Sequence, residues 1–120
     1  MWEITLLAEV EDWFLTVCAA DPVTAKQIVD ALDILERVGP GLGRPLVDTL
    51  EGGRLANLKE LRPGSTGRSE IRILFVFDPN REAILLVAGD KADRWSQWYE
   101  EAIPLAEERY SRYLDERSTQ

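Results

Sequence analysis

Residues 59–77 read KELRPGSTGRSEIRILFVF, and the reading of this stretch decides the fold. A Pro-Gly-Ser-Thr-Gly turn (63–67) separates two segments of alternating character. Alternation with period two is the mark of a strand whose faces meet different surroundings. Over 69–78, Ile71, Ile73, Phe75 and Phe77 share one face, and Arg72, Leu74 and Val76 share the other. Over 55–62, LANLKELR, the faces carry Asn57, Lys59 and Leu61 against Leu58, Glu60 and Arg62. Asp78-Pro79-Asn80-Arg81 is a second turn signal, which predicts a hairpin with the next strand, 82–89. That strand is apolar on both faces, so it belongs inside the sheet.

Upstream, WEITLL (2–7) predicts a short first strand. Val10, Trp13, Phe14, Val17 and Cys18 then follow helical spacing over 9–19, which places Cys18 among packing residues. Asp21-Pro22 reads as a helix cap followed by proline at the first helical position. Ala25, Ile28, Val29, Leu32, Leu35 and Val38 continue as an apolar stripe until Gly39-Pro40-Gly41 ends it. The glycine- and proline-rich stretch 39–53 reads as a loop. Downstream, Trp95, Trp98, Tyr99 and Ala102 predict a helix over 93–102. Pro104 predicts a kink, with a second helix from 104 to about 116. The order is β-α-α-β-β-β-α. It predicts an α+β domain over 1–116, with a small, mainly antiparallel sheet, helices packed on one face, and a frayed tail at 117–120.

The chain has 120 residues, enough for one domain, and its 45% hydrophobic content suffices for a core. It has no histidine and one cysteine. This leaves no Ser-His-Asp triad, no intrachain disulfide and no ordinary metal site, and no cofactor is expected. The N-terminus is acidic and the apolar runs fall well short of the ~20 residues that span a bilayer, so a cytoplasmic chain without a membrane partner is expected.

Net charge is −8, which opposes general affinity for nucleic acid. Its distribution is uneven. Residues 54–94 hold eight basic groups (Arg54, Lys59, Arg62, Arg68, Arg72, Arg81, Lys91, Arg94) and six acids, a balance of +2 against −10 for the remainder. Arginine forks match phosphate oxygens, and lysine adds a point charge. Such a group suits an anion or RNA site; equally, surface arginines are often merely solvated. If it cleaves RNA, Glu60 or Lys59 would move the proton and the arginines would supply electrostatics. Trp95, Trp98 and Tyr99 could stack on bases, although helical spacing assigns at least one tryptophan to the core.

The ordered set KELR, a glycine-containing turn ending in Arg68, the arginine-led strand RILFVF, the strand AILLVAG, Lys91 and a Trp/Tyr-bearing helix resembles the HigB-like, phage Gp49-related branch of the RelE/ParE toxin superfamily. The upstream GRPLVDTL is similar in style. The resemblance implies the toxin of a type II toxin–antitoxin pair: an endoribonuclease, or mRNA interferase, that cuts mRNA, often on the ribosome. It implies a helix-turn-helix antitoxin encoded by an adjacent gene, and promoter DNA bound only through that antitoxin. Carried onto this sequence, the catalytic set is Lys59, Glu60, Arg62, Arg68, Arg72 and Lys91. Arg54, Arg94, Trp98 and Tyr99 are the expected RNA contacts. Two alternatives stay open: a non-enzymatic toxin acting on a protein such as DNA gyrase, and an inactive member that binds antitoxin.

Overall fold

A computed structural model describes residues 1–118. Its elements are β1 (Glu3–Leu6), α1 (Ala8–Ala20), α2 (Pro22–Val38), a 3₁₀ turn at Gly39–Gly41, β2 (Val47–Thr49), β3 (Lys59–Leu61), β4 (Ile71–Asp78), β5 (Glu82–Asp90) and α3 (Trp95–Ser118). The sheet runs β1-β5-β4-β3-β2. β1 is parallel to β5 and every other pairing is antiparallel, so the fold is α+β, and its order is consistent with a RelE-like arrangement. No helix among the described residues is long and apolar enough to cross a membrane.

Local chemistry accounts for the framework. The Asp21 side chain accepts a hydrogen bond from the Thr24 amide, and Pro22 opens α2 where its missing N–H costs nothing. The same carboxylate accepts from the hydroxyls of Thr24 and Thr66, and the Thr66 amide donates to Thr24 Oγ1 at 3.0 Å. The 63–69 turn is thereby tied to the corner between α1 and α2. β4 and β5 form the expected hairpin through the 78–81 turn, where Arg81 takes φ +62°.

Both faces of the sheet are covered. Val10, Ile28, Leu35, Leu61, Ile73, Phe75 and Leu85 pack between the sheet and the α1–α2 pair. Leu58, Leu74, Val76, Ile84 and Leu86 pack on the other face against Trp98, Ala102 and Ala106 of α3. Helices on one face only is therefore corrected. An internal strand apolar on both sides must be shielded from water on both sides, and α3 supplies the second cover.

Six further expectations change. Residues 47–49 form edge strand β2, with Val47 opposite Leu61 and Thr49 opposite Lys59, inside the expected loop. β3 is only three residues long, not the whole of 55–62. Pro104 sits inside one continuous helix: it is exposed, so the carbonyl it leaves free can meet water, and Ala102 and Ala106 pack on either side of it. Arg117 and Ser118 are helical, while 119–120, the rest of the expected frayed tail, lie outside the described residues. Cys18 is exposed, because it lies about 80° around the helix from buried Val10 at 100° per residue. On α2 the buried line is Ala25, Ile28, Ala31 and Leu35, leaving Val29 and Val38 exposed.

Candidate functional site

The register of β3 and β4 builds the site. Lys59 lies opposite Phe75 and Glu60 opposite Leu74, so Lys59 and Glu60 point to opposite faces. Glu60 shares the α3 face with Leu58 and is fully buried. Its Oε1 accepts from Arg62 Nε at 2.8 Å, and Arg72 Nε stands 3.8 Å away. Arg62 also reaches Asp48 Oδ2 at 3.2 Å, and Arg72 stands 3.8 Å from Glu70. The hydrogen bond to Glu60 raises the Arg62 pKa and fixes its charge. Arg72 donates to the Ile71 carbonyl at 2.8 Å.

α3 closes over these groups. Tyr99 is half-buried beside them, and loss of water together with the neighbouring Glu60 carboxylate pushes its phenol well above the usual range. Lys91, just after β5, is 8% exposed. Its ammonium has no carboxylate partner among the described residues; it lies 4.7 Å from the Trp95 ring centre and 5.3 Å from that of Tyr99. Burial of a lysine without a counter-ion is uncommon, and the two ring faces offset part of its cost. Hydrogen bonding is also incomplete. Glu60 Oε2 and Arg72 Nε are buried without a hydrogen-bond partner, and Gln27 Oε1 is the only other such atom among the described residues.

The structure brings together Glu60, Arg62, Arg72, Lys91 and Tyr99. Lys59 is turned away, bonded to Thr49 Oγ1 at 2.8 Å on the edge of the sheet. Arg68 is exposed in the pinned turn and makes no ion pair or side-chain hydrogen bond among the described residues. Arg94 pairs with Glu101 at 2.7 Å on the surface of α3. Arg54 is remote from the cluster: it lines a groove with Pro104, Glu107, Glu108 and Ser111, and its backbone amide donates to Glu107. Trp98 is core rather than contact surface, 5% exposed, with its indole edge against Tyr99 and its ring on the backbone of Gly89. Asp48 and Glu70 complete the cluster unforeseen. Asp48 lay in the stretch read as loop, although β2 pairing sets it directly opposite Glu60. The burial of Glu60 had a signal, since alternation already put it on the same face as Leu58.

The sheet thus gathers two arginines and a lysine near a buried carboxylate beneath α3. Residues 17–111 match the model of the phage-derived Gp49-like protein family (DUF891), and the chain belongs to that family. It is similar to two proteins of Mycobacterium tuberculosis. One is named "Putative toxin HigB2", 52% identical over 107 residues, which are 89% of this chain and 53% of that protein. The other is named "Putative toxin HigB3", 46% identical over 111 residues, 92% of each. The chain thus spans about half the length of the first and nearly all of the second. No solved structure matches it.

Proposed function

We propose that the chain is the toxin of a type II toxin–antitoxin pair and acts as an mRNA interferase. The observation that carries this reading is the cluster itself: two arginines and a lysine around a buried carboxylate whose hydrogen bonding is incomplete. The names of the two similar proteins agree with the toxin half of it. The antitoxin would be a helix-turn-helix protein encoded alongside, through which promoter DNA is bound, and the site of action the cytoplasm.

In the reaction the 2′-oxygen attacks the adjacent phosphorus while the bond from phosphorus to the 5′-oxygen breaks. The products are a 2′,3′-cyclic phosphate and a 5′-hydroxyl. Arg72 and Arg62, both partly exposed, neutralise the non-bridging oxygens as charge builds there. Lys91 adds a point charge from beneath the aromatic rings. Glu60 is too deep to touch RNA and acts as a positioning residue that holds the two guanidinium groups. The 2′-hydroxyl proton passes to water. Tyr99, which its raised pKa keeps protonated, donates to the departing 5′-oxygen as the bond to phosphorus breaks. Lys59 and Arg68 stand outside this cluster, with Arg68 free to steer the strand. No metal takes part.

The acidic body limits affinity for free RNA, so the ribosome or a similar scaffold would hold the message in place. The test compares cleavage of naked RNA with cleavage of ribosome-bound mRNA at matched, near-physiological salt. The bound message should be cut faster. Equal rates would overturn the scaffold requirement. Growth arrest without cleavage of either substrate would overturn the interferase reading in favour of a protein target.

A further inference from the structure

Trp95 is 62% exposed, the most exposed aromatic side chain of the described residues, and it stands at the first position of α3. Its placement is built. Asp90 Oδ1 accepts from the amides of Glu70 and Ala92, both at 2.9 Å, and the Lys91 carbonyl accepts from the amides of Arg94 and Trp95. Asp93 and Trp95 take φ +63° and +38°, a left-handed conformation unfavourable to side chains of this size. An exposed indole held by a strained, tightly bonded turn is an expense with no return for the core. The core already has Trp98, one helical turn on.

The indole lies against the Lys91 ammonium at 4.7 Å, and the ring is otherwise largely open to solvent. We infer that Trp95 is the stacking platform for an unpaired nucleobase, and that Lys91 below it takes a phosphate of the same strand. The ligand class is single-stranded RNA with at least one base out of its stack. Stacking on an aromatic face accepts any base, so the platform grips one nucleotide without choosing its identity, while the nearby ammonium strengthens the grip by charge. This deepens the interferase reading and rests on it for the identity of the ligand. It also assigns to Trp95 the stacking role that buried Trp98 cannot fill.

The probe is a short 2′-O-methyl RNA, which cannot be cleaved, intact or with single abasic positions. Binding is followed by fluorescence anisotropy at low salt, where phosphate attraction is strongest. Trp95→Ala should weaken the intact oligonucleotide about tenfold or more, and Trp95→Phe should restore most of the loss. One abasic position should weaken wild type by a similar factor and leave Trp95→Ala unchanged, because both changes remove one stack. Thermal melts check that the variants remain folded. Equal binding of the intact oligonucleotide by wild type and Trp95→Ala overturns the platform. So does a loss that is the same for intact and fully abasic strands, since Trp95 would then act only by placing Lys91. Failure of wild type to bind at all overturns it too. Cleavage of unmodified RNA is measured separately: stacking without cleavage sinks the interferase reading alone, and cleavage without stacking sinks the platform alone.

Discussion

The two faces of the sheet are made of different material. The face under α1 and α2 is sealed by Val10, Ile28, Leu35, Ile73, Phe75 and Leu85. The face under α3 also has an apolar floor, but Glu60, Asp78 and Lys91 are buried on it or at its ends. α3 is held there by polar clamps as well as packing. Arg117 reaches Asp78 at 3.0 Å, and Arg109 donates to the Leu86 carbonyl at 2.9 Å. One face secures the fold by apolar packing, and the other buries charges that are paired with arginines or set against aromatic rings. The division puts the apolar anchor and the charged cluster on opposite sides of the same strands: β4 alternates Ile73 and Phe75 on one side with Arg72 and Leu74 on the other.

That division can be broken most strongly from the dry side. Phe75→Ala should cost about 3–5 kcal/mol, read by denaturant unfolding, because nothing nearby can fill the space of a fully buried ring. A loss under ~1 kcal/mol would mean that this face is not the anchor. On the other side, Arg72→Ala should leave a folded protein while transition-state stabilisation falls by roughly 1.5–3 kcal/mol, the worth of a charge-assisted contact. Expression without antitoxin should then no longer arrest growth. A folded variant that stays fully toxic would remove Arg72 from the chemistry. Glu60→Gln keeps the shape and removes the charge that orders both arginines. About 1–3 kcal/mol of stability should go, and cleavage should fall with it. Unchanged cleavage would reduce Glu60 to a packing residue.

The smallest effect lies where α3 meets α1. A hydrogen bond from Arg112 holds the Glu9 pKa at about 2, below its ordinary 4.5, and Arg109 adds a nearby charge. A depressed carboxylate contributes stability that is present above the unfolded pKa and lost as pH falls through the folded one. The contribution should therefore fade between about pH 4.5 and 2. Because both side chains are well exposed to water, solvent screening keeps the contribution small. Acid titration of stability in Glu9→Gln should be shallower than in wild type across that window, and identical curves would show that the bridge contributes nothing.

Much of this fold is written locally. The Asp21-Pro22 cap, the alternation of 71–77 and the turn at 78–81 each state their structure within a few residues. What escaped is non-local. β2 is three residues among glycines and prolines, and only pairing with β3 makes it a strand. Pro104 reads as a break, but packing on both sides of it outweighs one lost backbone bond. For the site, residue types were legible and distances were not. Arg62, Arg72 and Lys91 lie near Tyr99, whereas strand parity sends Lys59 away and Arg68 stays exposed in the turn. Helical spacing alone could not tell which of Trp95 and Trp98 would be sheltered, since that depends on which sheet face α3 covers.

Gly89 links two positions that would otherwise drift independently through evolution. A Cβ there would come within 2.9 Å of Trp98 Nε1, and the buried indole has little room to retreat. Even alanine at 89 would press on the helix that carries Tyr99 and covers the arginines. A lineage could leave glycine only after Trp98 had become smaller, yet shrinking Trp98 first would open a void beneath α3. Each single step is unfavourable and the double change is open, so residues 89 and 98 form an epistatic pair. Variation in this helix should thus be judged two positions at a time.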